Sequence, residues 1–496
     1  MRTRPAARTA RRWVAASAAA LALGACTTPA QLGPAPSPSG SPNPSPVVTP
    51  GLRNFAPGAA SAGDPLFPKE GDGGYDAGHY ALTITYDPAT GKLTGVDVMT
   101  ANATQALSSF DLDLHGLTVR SVTVDGHKAA YTRTGDKLVI TPAAGIPSAA
   151  TFTTEVRYDG IPTGYKDPEL GIVGFIRRPD GVVVQGEPDV AASWYAVNDT
   201  PRDKATYDIT ATVPSALSAL SNGVLVDKTP AGANTSWHWR ESSPMASYLA
   251  TLMIGDYRVV NGSWHGLPMV LATAASLPTT VDATLARTPE VLDFLVTQFG
   301  PYPFGAVGGI VHDDAKVGFA LENQTRPVYA PGFFSAGTDG SWVIAHELAH
   351  QWYGDDVSVT NWSDIWLNEG FATYAEWLWS QHEGAGTPQQ IFDDIYYGRN
   401  HSGLPQEAPA APTVTTVFGE SSYTRGGATL QALRIAVGDD TFWRIVRGWP
   451  AERQFGNATT ADFIAYADRV SGLSLDAFLH KWLYEPGTPP YPQRLG

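Results

Sequence analysis

Apolar and polar residues alternate along much of the first half of the chain, in runs such as 79–86 and 206–213. Alternation with a period of two is typical of strands that bury one face, and turn residues separate these runs. From about Ser263 onward, segments of amphipathic, helical character dominate instead. The pattern predicts a β domain over residues 55–262, followed by a mostly helical domain over residues 263–496.

Two of the predicted helices contain polar residues that change this picture. The first covers residues 341–353, has apolar residues at helical spacing and ends before Gly354, a residue type that suits a helix C-terminus. The second covers residues 366–379, whose apolar content predicts burial, yet it contains Glu369. An unpaired buried carboxylate is energetically costly, and a bound metal ion would remove that cost. Further helices are predicted over 289–299, after Gly427, and from Thr460 and Leu475.

The first of these helices carries the sequence HELAH, which includes His346, Glu347 and His350. Two histidines four residues apart share one helical face and can bind the same metal ion. Catalytic zinc sites use three protein ligands and leave one position open, and a carboxylate such as Glu369 suits the third place. The spacing predicts one Zn²⁺ per chain, with Glu347 able to take a proton from the metal-bound water. HELAH-like motifs also arise by chance, and related divalent ions bind such ligands.

The segment from His346 to Trp379 resembles the zinc core of the aminopeptidase N family of gluzincins, peptidase family M1, which includes the leukotriene epoxide hydrolases. The resemblance spans about residues 75–490. It implies an α+β multidomain fold, with a mainly antiparallel N-terminal β domain and a thermolysin-like, mostly helical zinc peptidase domain. Other matching stretches are residues 300–304, the family's GAMEN signature written here as FALEN over 319–323, the segments 185–188 and 198–205, and YTRG over 423–426 for the family's YxKG.

This resemblance implies a zinc-dependent aminopeptidase in which a zinc-bound water attacks the first peptide bond. Glu347 would act as general base, and Tyr423 would donate a hydrogen bond to the developing oxyanion. A free α-ammonium group is best recognised by carboxylates, and the resemblance assigns this role to Glu322 and Glu187. Possible further substrate contacts are Gln185, Ala320, Asn323 and Arg425.

Other activities stay open at this level. An endopeptidase or an epoxide hydrolase could use the same zinc site, because Glu322 and Glu187 also occur in the epoxide-opening branch. A catalytically inactive surface-binding lipoprotein is the third alternative, although no ligand or base is missing. The chain ends where the family's catalytic domain ends, so we expect no large C-terminal helical domain and a more open cleft unless a partner chain covers it. The preferred first residue, the oligomeric state and any protein partners are not indicated.

The first 26 residues predict export. Five arginines and no acidic residue precede the apolar run 13–25, which is too short to span a membrane and ends at Cys26, the one cysteine of the chain. This arrangement resembles a bacterial lipoprotein signal over residues 1–25. Residues 26–54 would then hold the lipidated cysteine and a Pro/Ser-rich tether. We expect a lipid-anchored protein on the outer side of the cell membrane, exported by either the Sec or the Tat route; a secretory signal cleaved elsewhere is the alternative.

Acidic residues outnumber basic ones. The formal net charge is −15, and it becomes −20 after removal of residues 1–25, which leaves 28 basic residues against 48 acidic ones. This balance argues against nucleic acid as a partner and is compatible with peptide substrates that carry a free N-terminus.

Overall fold

Strands dominate the described part of the chain from Ala56 to Ala274, as the alternating pattern predicts. The computed structural model describes residues 54–167, 170–335, 339–399 and 403–495. The strands of this part are β1 (Ala56–Pro57), β2 (Tyr75–Asp87), β3 (Lys92–Ala103), β4 (Leu107–Asp113), β5 (Thr118–Val124), β6 (His127–Lys128), β7 (Ala130–Thr134), β8 (Lys137–Thr141), β9 (Thr151–Gly160), β10 (Tyr165–Asp167), β11 (Gly171–Arg178), β12 (Gly181–Gln185), β13 (Ala205–Pro214), β14 (Ser218–Ser221), β15 (Val224–Ala231), β16 (Asn234–Met245), β17 (Leu252–Gly255), β18 (Tyr257–Trp264) and β19 (Leu267–Ala274).

An eight-stranded sheet forms the centre of this β region, in the order β15-β16-β13-β2-β3-β9-β5-β6. Its strands pair mainly antiparallel, with β13 and β2 as a parallel pair. Buried and partly exposed residues alternate along β13, so one face of the sheet packs on the core. Two smaller sheets accompany it, in the orders β1-β4-β8-β7 and β10-β11-β12-β17-β14. In the second of these sheets, strand β12 ends at Gln185, next to the predicted amine-binding segment.

A mixed sheet connects the two regions. Strand β18 pairs antiparallel with β19. Strand β19 pairs in parallel with β20 (Val307–Val311), and β20 pairs in parallel with β21 (Val328–Tyr329). The predicted domain boundary after residue 262 falls within β18, whereas this strand pairing favours a boundary before Tyr257. A short parallel pair, β22 (Ser358–Val359) and β23 (Asn457–Ala458), lies among the helices.

Helices follow as the sequence predicts, with different ends. They are α1 (Thr279–Leu285), α2 (Thr288–Phe299), α3 (Ser341–Ala349), α4 (Trp366–His382), α5 (Pro388–Tyr396), α6 (Gly426–Val437), α7 (Asp439–Arg453), α8 (Thr460–Ser471) and α9 (Asp476–Leu483). Helix α3 is shorter than the predicted 341–353, because the amides of Gln351 and Trp352 donate to carbonyls three residues back, which tightens the last turn. Helix α4 runs three residues beyond the predicted end.

The apolar side chains form two clusters within one compact unit. One cluster lies between the sheets, and the other lies among the helices. Helices α4 and α6 cross so closely that a Cβ atom on Gly370 would lie 2.8 Å from the carbonyl carbon of Gly426. The fold class predicted from sequence is confirmed: a mainly β region precedes a helical region. Among the described residues, none of the helices combines the length and apolar character needed to span a membrane.

One acidic residue lies inside the β core. Asp97 on β3 is fully buried, in register with Leu82 of β2 and Val156 of β9. Neither of its carboxylate oxygens has a hydrogen-bond partner among the described residues. Burial raises the pKa of Asp97 well above its usual range, because a charge is poorly solvated there.

We expect Asp97→Asn to stabilise the fold increasingly as the pH rises. The folded pKa of Asp97 lies above the unfolded one, so the unfolded chain loses this proton first and Asp97 becomes destabilising above a pH of about 4. Asparagine cannot ionise. Urea unfolding midpoints of both proteins between pH of about 5 and 8 test this; a difference that stays constant with pH would show that Asp97 ionises normally.

Candidate metal centre and active site

Two histidine nitrogens and one carboxylate oxygen converge where α3 meets α4. The Nε2 atoms of His346 and His350 lie 3.2 and 3.5 Å from the same atom, Oε2 of Glu369. All three side chains are buried, and their ligand atoms lie within 4.8 Å of one another. The structure brings together the three side chains that the sequence singles out as ligands.

The spacing of these atoms suits a tetrahedral zinc ion. Zinc bonds of about 2.0–2.1 Å in tetrahedral geometry separate neighbouring ligand atoms by about 3.3 Å, which matches the observed 3.2 and 3.5 Å. Burial by itself would raise the pKa of Glu369, but the charge of His350 and the hydrogen bonds to both histidines outweigh it and lower the pKa to about 2. An ionised carboxylate with two imidazoles is a donor set that zinc favours.

Each histidine has a second partner that fixes its ring. Nδ1 of His350 lies 3.0 Å from the carbonyl oxygen of Tyr353, and Nδ1 of His346 lies 2.6 Å from Oε1 of Glu376. A hydrogen on Nδ1 satisfies both contacts and leaves each Nε2 available for a metal ion.

Glu376 is a site residue that sequence reasoning missed. It lies on α4 seven residues after Glu369, which places both carboxylates on the same helical face two turns apart. This seven-residue spacing on a predicted helix could have identified Glu376 from the sequence. Glu376 contacts His346 and not the other ligands' nitrogens, so its role is to orient one imidazole.

Glu347 lies beside the metal ligands. It sits between the two histidines on α3, and its carboxylate groups with Glu322 and His350 so that the three candidate ligand atoms lie within 4.8 Å. Burial raises the pKa of Glu347 to about 8. The predicted general base and a predicted amine-binding acid therefore face the same small space.

Tyr423 lies next to His346. It belongs to a π-helical turn, Ser421–Arg425, that leads directly into α6. The ring centroids of Tyr423 and His346 are 6.1 Å apart, with planes inclined by 18°. Burial raises the pKa of Tyr423 well above its usual range, so the phenol keeps its proton. Single π turns are often found at functional sites.

Glu187 and Glu322 form a buried acidic pair. Glu187 follows β12, is 4% exposed, and its Oε1 has no hydrogen-bond partner among the described residues. Glu322 accepts a hydrogen bond of 3.1 Å from the hydroxyl of Tyr248. Burial, followed by the charges of Glu322 and Glu369, raises the pKa of Glu187 well above its usual range. Burial also raises the pKa of Glu322, so both carboxyl groups lack the positive charge that would stabilise their ionised forms.

Two neighbouring amides leave an acceptor unused in the same way. Nε2 of Gln185 donates to the carbonyl of Phe319 over 3.4 Å, and Nδ2 of Asn323 donates to the carbonyl of Leu249 over 3.0 Å. The amide oxygens Oε1 of Gln185 and Oδ1 of Asn323 are buried without a partner in the described part of the chain. Ala320, also a predicted contact residue, is half-buried beside Phe319.

Gln351 connects the segment 322–325, which contains the predicted amine-binding residue Glu322, to the end of α3. Its Nε2 donates to the carbonyl of Glu322 over 2.9 Å, and its Oε1 accepts from the amide of Thr325 over 2.8 Å. Gln351 directly follows His350, so it couples a metal ligand to the segment 322–325. Sequence reasoning missed it, because its partners are distant along the chain.

Arg425 does not contribute to a substrate surface, so the predicted contact is wrong. The residue is fully buried. Its guanidinium group donates to backbone carbonyl oxygens, those of Pro405, Glu407, Lys481, Trp482, Glu485 and Gly487. These contacts use all of its donor groups, because a guanidinium has five N–H bonds.

Cys26 and the predicted signal lie outside the described residues.

Comparison with known proteins places this geometry in a family. Residues 284–482 match the model for the "Peptidase family M1 domain", and residues 76–249 match that for the "Peptidase M1 N-terminal domain". Among curated relatives, "Probable aminopeptidase 1" of Sulfurisphaera tokodaii is 26% identical over 76% of this chain and 50% of its own length. "Glutamyl aminopeptidase" of Homo sapiens is 29% identical over 62% of this chain and 34% of its own length. The chain thus spans a third to a half of these relatives.

A solved structure agrees over nearly the whole of its length. The M1 zinc metallopeptidase from Deinococcus radiodurans superposes with a TM-score of 0.80 at 28% identity, covering 88% of this chain and 99% of that one. A mutant of the Deinococcus enzyme is known with bound Tyr-Ser-Ala, again at a TM-score of 0.80, with 29% identity and 87% and 99% of the two chains covered. These relatives are zinc metallopeptidases, so Zn²⁺ is the cofactor, and His346, His350 and Glu369 form a donor set that fits it.

We expect Glu376→Gln to weaken zinc binding without unfolding the chain. Glutamine keeps the size of the side chain but loses the charge that orients His346, and the loss of such an outer partner typically lowers metal affinity about 10- to 100-fold. Competition with a chelator of known affinity measures this. Glu452→Gln, an exposed exchange far from the metal ligands in sequence, is the control. Equal affinities in all three proteins would contradict the orienting role.

Proposed function

The chain belongs to peptidase family M1, and from that premise we propose that it is a zinc aminopeptidase that removes single residues from the N-terminus of peptides. The observation that supports this most directly is the buried acidic pair. Oε1 of Glu187 and the amide oxygens of Gln185 and Asn323 lack partners among the described residues, and Glu322 lies beside them. Unpaired buried acceptors and carboxylates suit a ligand that brings both hydrogen-bond donors and positive charge, as an α-ammonium group does.

Each further task of peptide hydrolysis has a candidate residue. Zinc held by His346, His350 and Glu369 would supply a Lewis acid for the attacking water and the scissile carbonyl. Glu347 takes the proton of that water and passes it to the leaving nitrogen. Tyr423, next to the ring of His346, donates a hydrogen bond to the oxygen on which negative charge develops.

The relatives support the same substrate class. Both curated relatives carry the name aminopeptidase. The Deinococcus mutant binds the tripeptide Tyr-Ser-Ala, and a two-domain M1 zinc metallopeptidase mutant binds L-arginine, with a TM-score of 0.81 at 28% identity. A free amino acid carries the α-ammonium group of a peptide product, so both ligands fit an amine-recognising site.

We expect the purified protein to shorten free peptides one residue at a time from the N-terminus and to leave N-acetylated copies intact. Acetylation removes the positive charge that Glu187 and Glu322 would bind, and Glu347→Gln removes the base, so both changes should abolish turnover. Mass spectrometry of a mixture of free and acetylated peptides measures this. Internal cleavage of both forms would instead show an endopeptidase. No cleavage of either form would contradict the proposal and favour an epoxide hydrolase or a non-catalytic binding protein.

We also propose that the enzyme works outside the cytoplasm, anchored through lipid on Cys26. The support is sequence alone: the arginine-rich start, the short apolar run 13–25 and the position of Cys26. Two acyl chains or more on one cysteine give a stable anchor, whereas a single chain binds weakly.

We expect Cys26→Ser, expressed in a bacterial host, to move the protein from the membrane fraction to the soluble extracytoplasmic fraction. Serine cannot accept the thioether-linked lipid. Cell fractionation with intact-mass measurement checks this, and Thr27→Ser, a mild exchange at the next position, serves as the control. An unchanged distribution of Cys26→Ser would rule out the lipid anchor at this residue.

A further inference from the structure

The guanidinium of Arg425 is the centre of a buried network of main-chain contacts. Its side chain is fully buried. Nε donates to the carbonyl of Trp482 over 3.0 Å, and the terminal nitrogens reach those of Glu407 and Gly487 over 3.0 and 2.9 Å. Burial lowers the pKa of Arg425 to about 10, which leaves it charged at neutral pH.

These contacts join two segments that are distant in sequence. The carbonyls of Lys481 and Trp482 belong to the last turn of α9, where a helix leaves carbonyl oxygens without intrahelical partners. A cation at this position is favoured by the helix dipole. The other carbonyls belong to the strap 405–407 and to residues 485–487, just after α9. Arg425 therefore caps α9 and fastens the strap to it.

Tyr423 lies in the same turn as Arg425. The turn is π-helical, closed by the amide of Gly426 donating to the carbonyl of Ser421. The hydroxyl of Ser421 also donates to the carbonyl of Glu407 over 3.1 Å. Both Ser421 and Arg425 therefore bind the turn to the strap 405–407. The turn leads into α6, whose first residue, Gly426, packs closely on Gly370, the residue after the metal ligand Glu369.

We propose that Arg425 is a positioning residue, which holds the π turn between α4 and α9 so that the phenol of Tyr423 stays at the metal site. This inference rests on the proposed function of Tyr423 as the oxyanion donor. Arg425 touches no reacting atom itself. It acts by preventing the turn from relaxing to an ordinary α-helix, which would rotate Tyr423 away from His346.

Lysine, the residue that the resemblance leads one to expect here, would not replace this arginine. A lysine ammonium has three donors around one point, whereas the guanidinium fork spreads five donors over carbonyls that lie in different directions. Arg425→Lys should keep the charge and the fold but lose most of the contacts to the strap. Arg425→Met should lose them all.

The kinetic test compares Arg425→Met, Arg425→Lys, Tyr423→Phe and the double variant of Tyr423→Phe with Arg425→Met. We expect Arg425→Met to lower kcat about 100-fold with KM and zinc content unchanged, because misplacing a catalytic group by about 1 Å costs that much. Arg425→Lys should fall between it and the wild type. If Arg425 acts through Tyr423, the double variant should be no slower than Tyr423→Phe alone; losses that multiply would overturn the proposal.

A second measurement does not use activity. Hydrogen exchange of the zinc-loaded protein should be faster in Arg425→Met for peptides covering residues 417–428 and 476–487, and unchanged for those covering α3 and α4. Arg447→Met is the matched control, because Arg447 donates to the carbonyls of Thr297 and Gln298 at the end of α2, away from the turn. Uniformly faster exchange, or none at 417–428, would overturn the proposal.

The two proposals fail in different ways. A wild-type protein without peptidase activity would contradict the proposed function, while the exchange pattern would still report whether Arg425 holds the turn. Full activity in Tyr423→Phe would remove the oxyanion role of Tyr423. An active wild type with a normal Arg425→Met variant would contradict the positioning role alone. Where Arg425→Met does not fold, Ser421→Ala, which removes one contact to Glu407, takes its place and should show the same pattern more weakly.

Discussion

A buried excess of negative charge is the feature on which the rest of this site depends. The side chains of Glu187, Glu322, Glu347 and Glu369 are all buried, and burial together with their mutual repulsion raises the pKa of Glu187. Carboxylates remain ionised in such a space only when cations join them. Histidines that bind a metal ion through Nε2 are neutral and do not balance these four acids. Zn²⁺ supplies part of the missing charge, and the α-ammonium group of the proposed substrate would supply more, so the cofactor and the proposed substrate are complementary to the same property of the protein.

Holding like charges together requires a rigid frame, and the frame comes from both regions of the fold. Strand β12 and the residues directly after it position Gln185 and Glu187, while α3, its end at His350, and α4 position the metal ligands. Gln351 fastens the segment 322–325 to the end of α3. The close contact of Gly370 with Gly426 then sets the distance between the metal helix and the turn that carries Tyr423.

The sequence predicted the site residues whose roles follow from their spacing on a helix. It did not predict the roles that depend on contacts between residues distant along the chain. Two histidines four residues apart and an acid in an apolar helix identify a metal site, and helical periodicity could also have identified Glu376. The role of Arg425 could not be read in this way, because its partners lie about 20 and 60 residues away, and a positive charge in a family motif suggests the substrate. The early end of α3 was not predicted either; it lies where the side chains of Gln351 and Trp352 bind carbonyl groups of Glu322 and Pro301, which are distant along the chain.

The proposed aminopeptidase activity requires a fixed distance between the acids proposed to bind the substrate amine and the metal ligands. The connection between α3 and α4 fixes it. Trp362 in that connection packs against the ring of Tyr248, at 5.3 Å between centroids, and Tyr248 donates to Glu322. The amide of Trp362 donates to Asp64, and its ring contacts Phe67. The segment that joins α3 and α4 is thus packed on the β core beside Tyr248, the hydrogen-bond partner of Glu322, and this contact couples the position of Glu322 to that of the metal ligands.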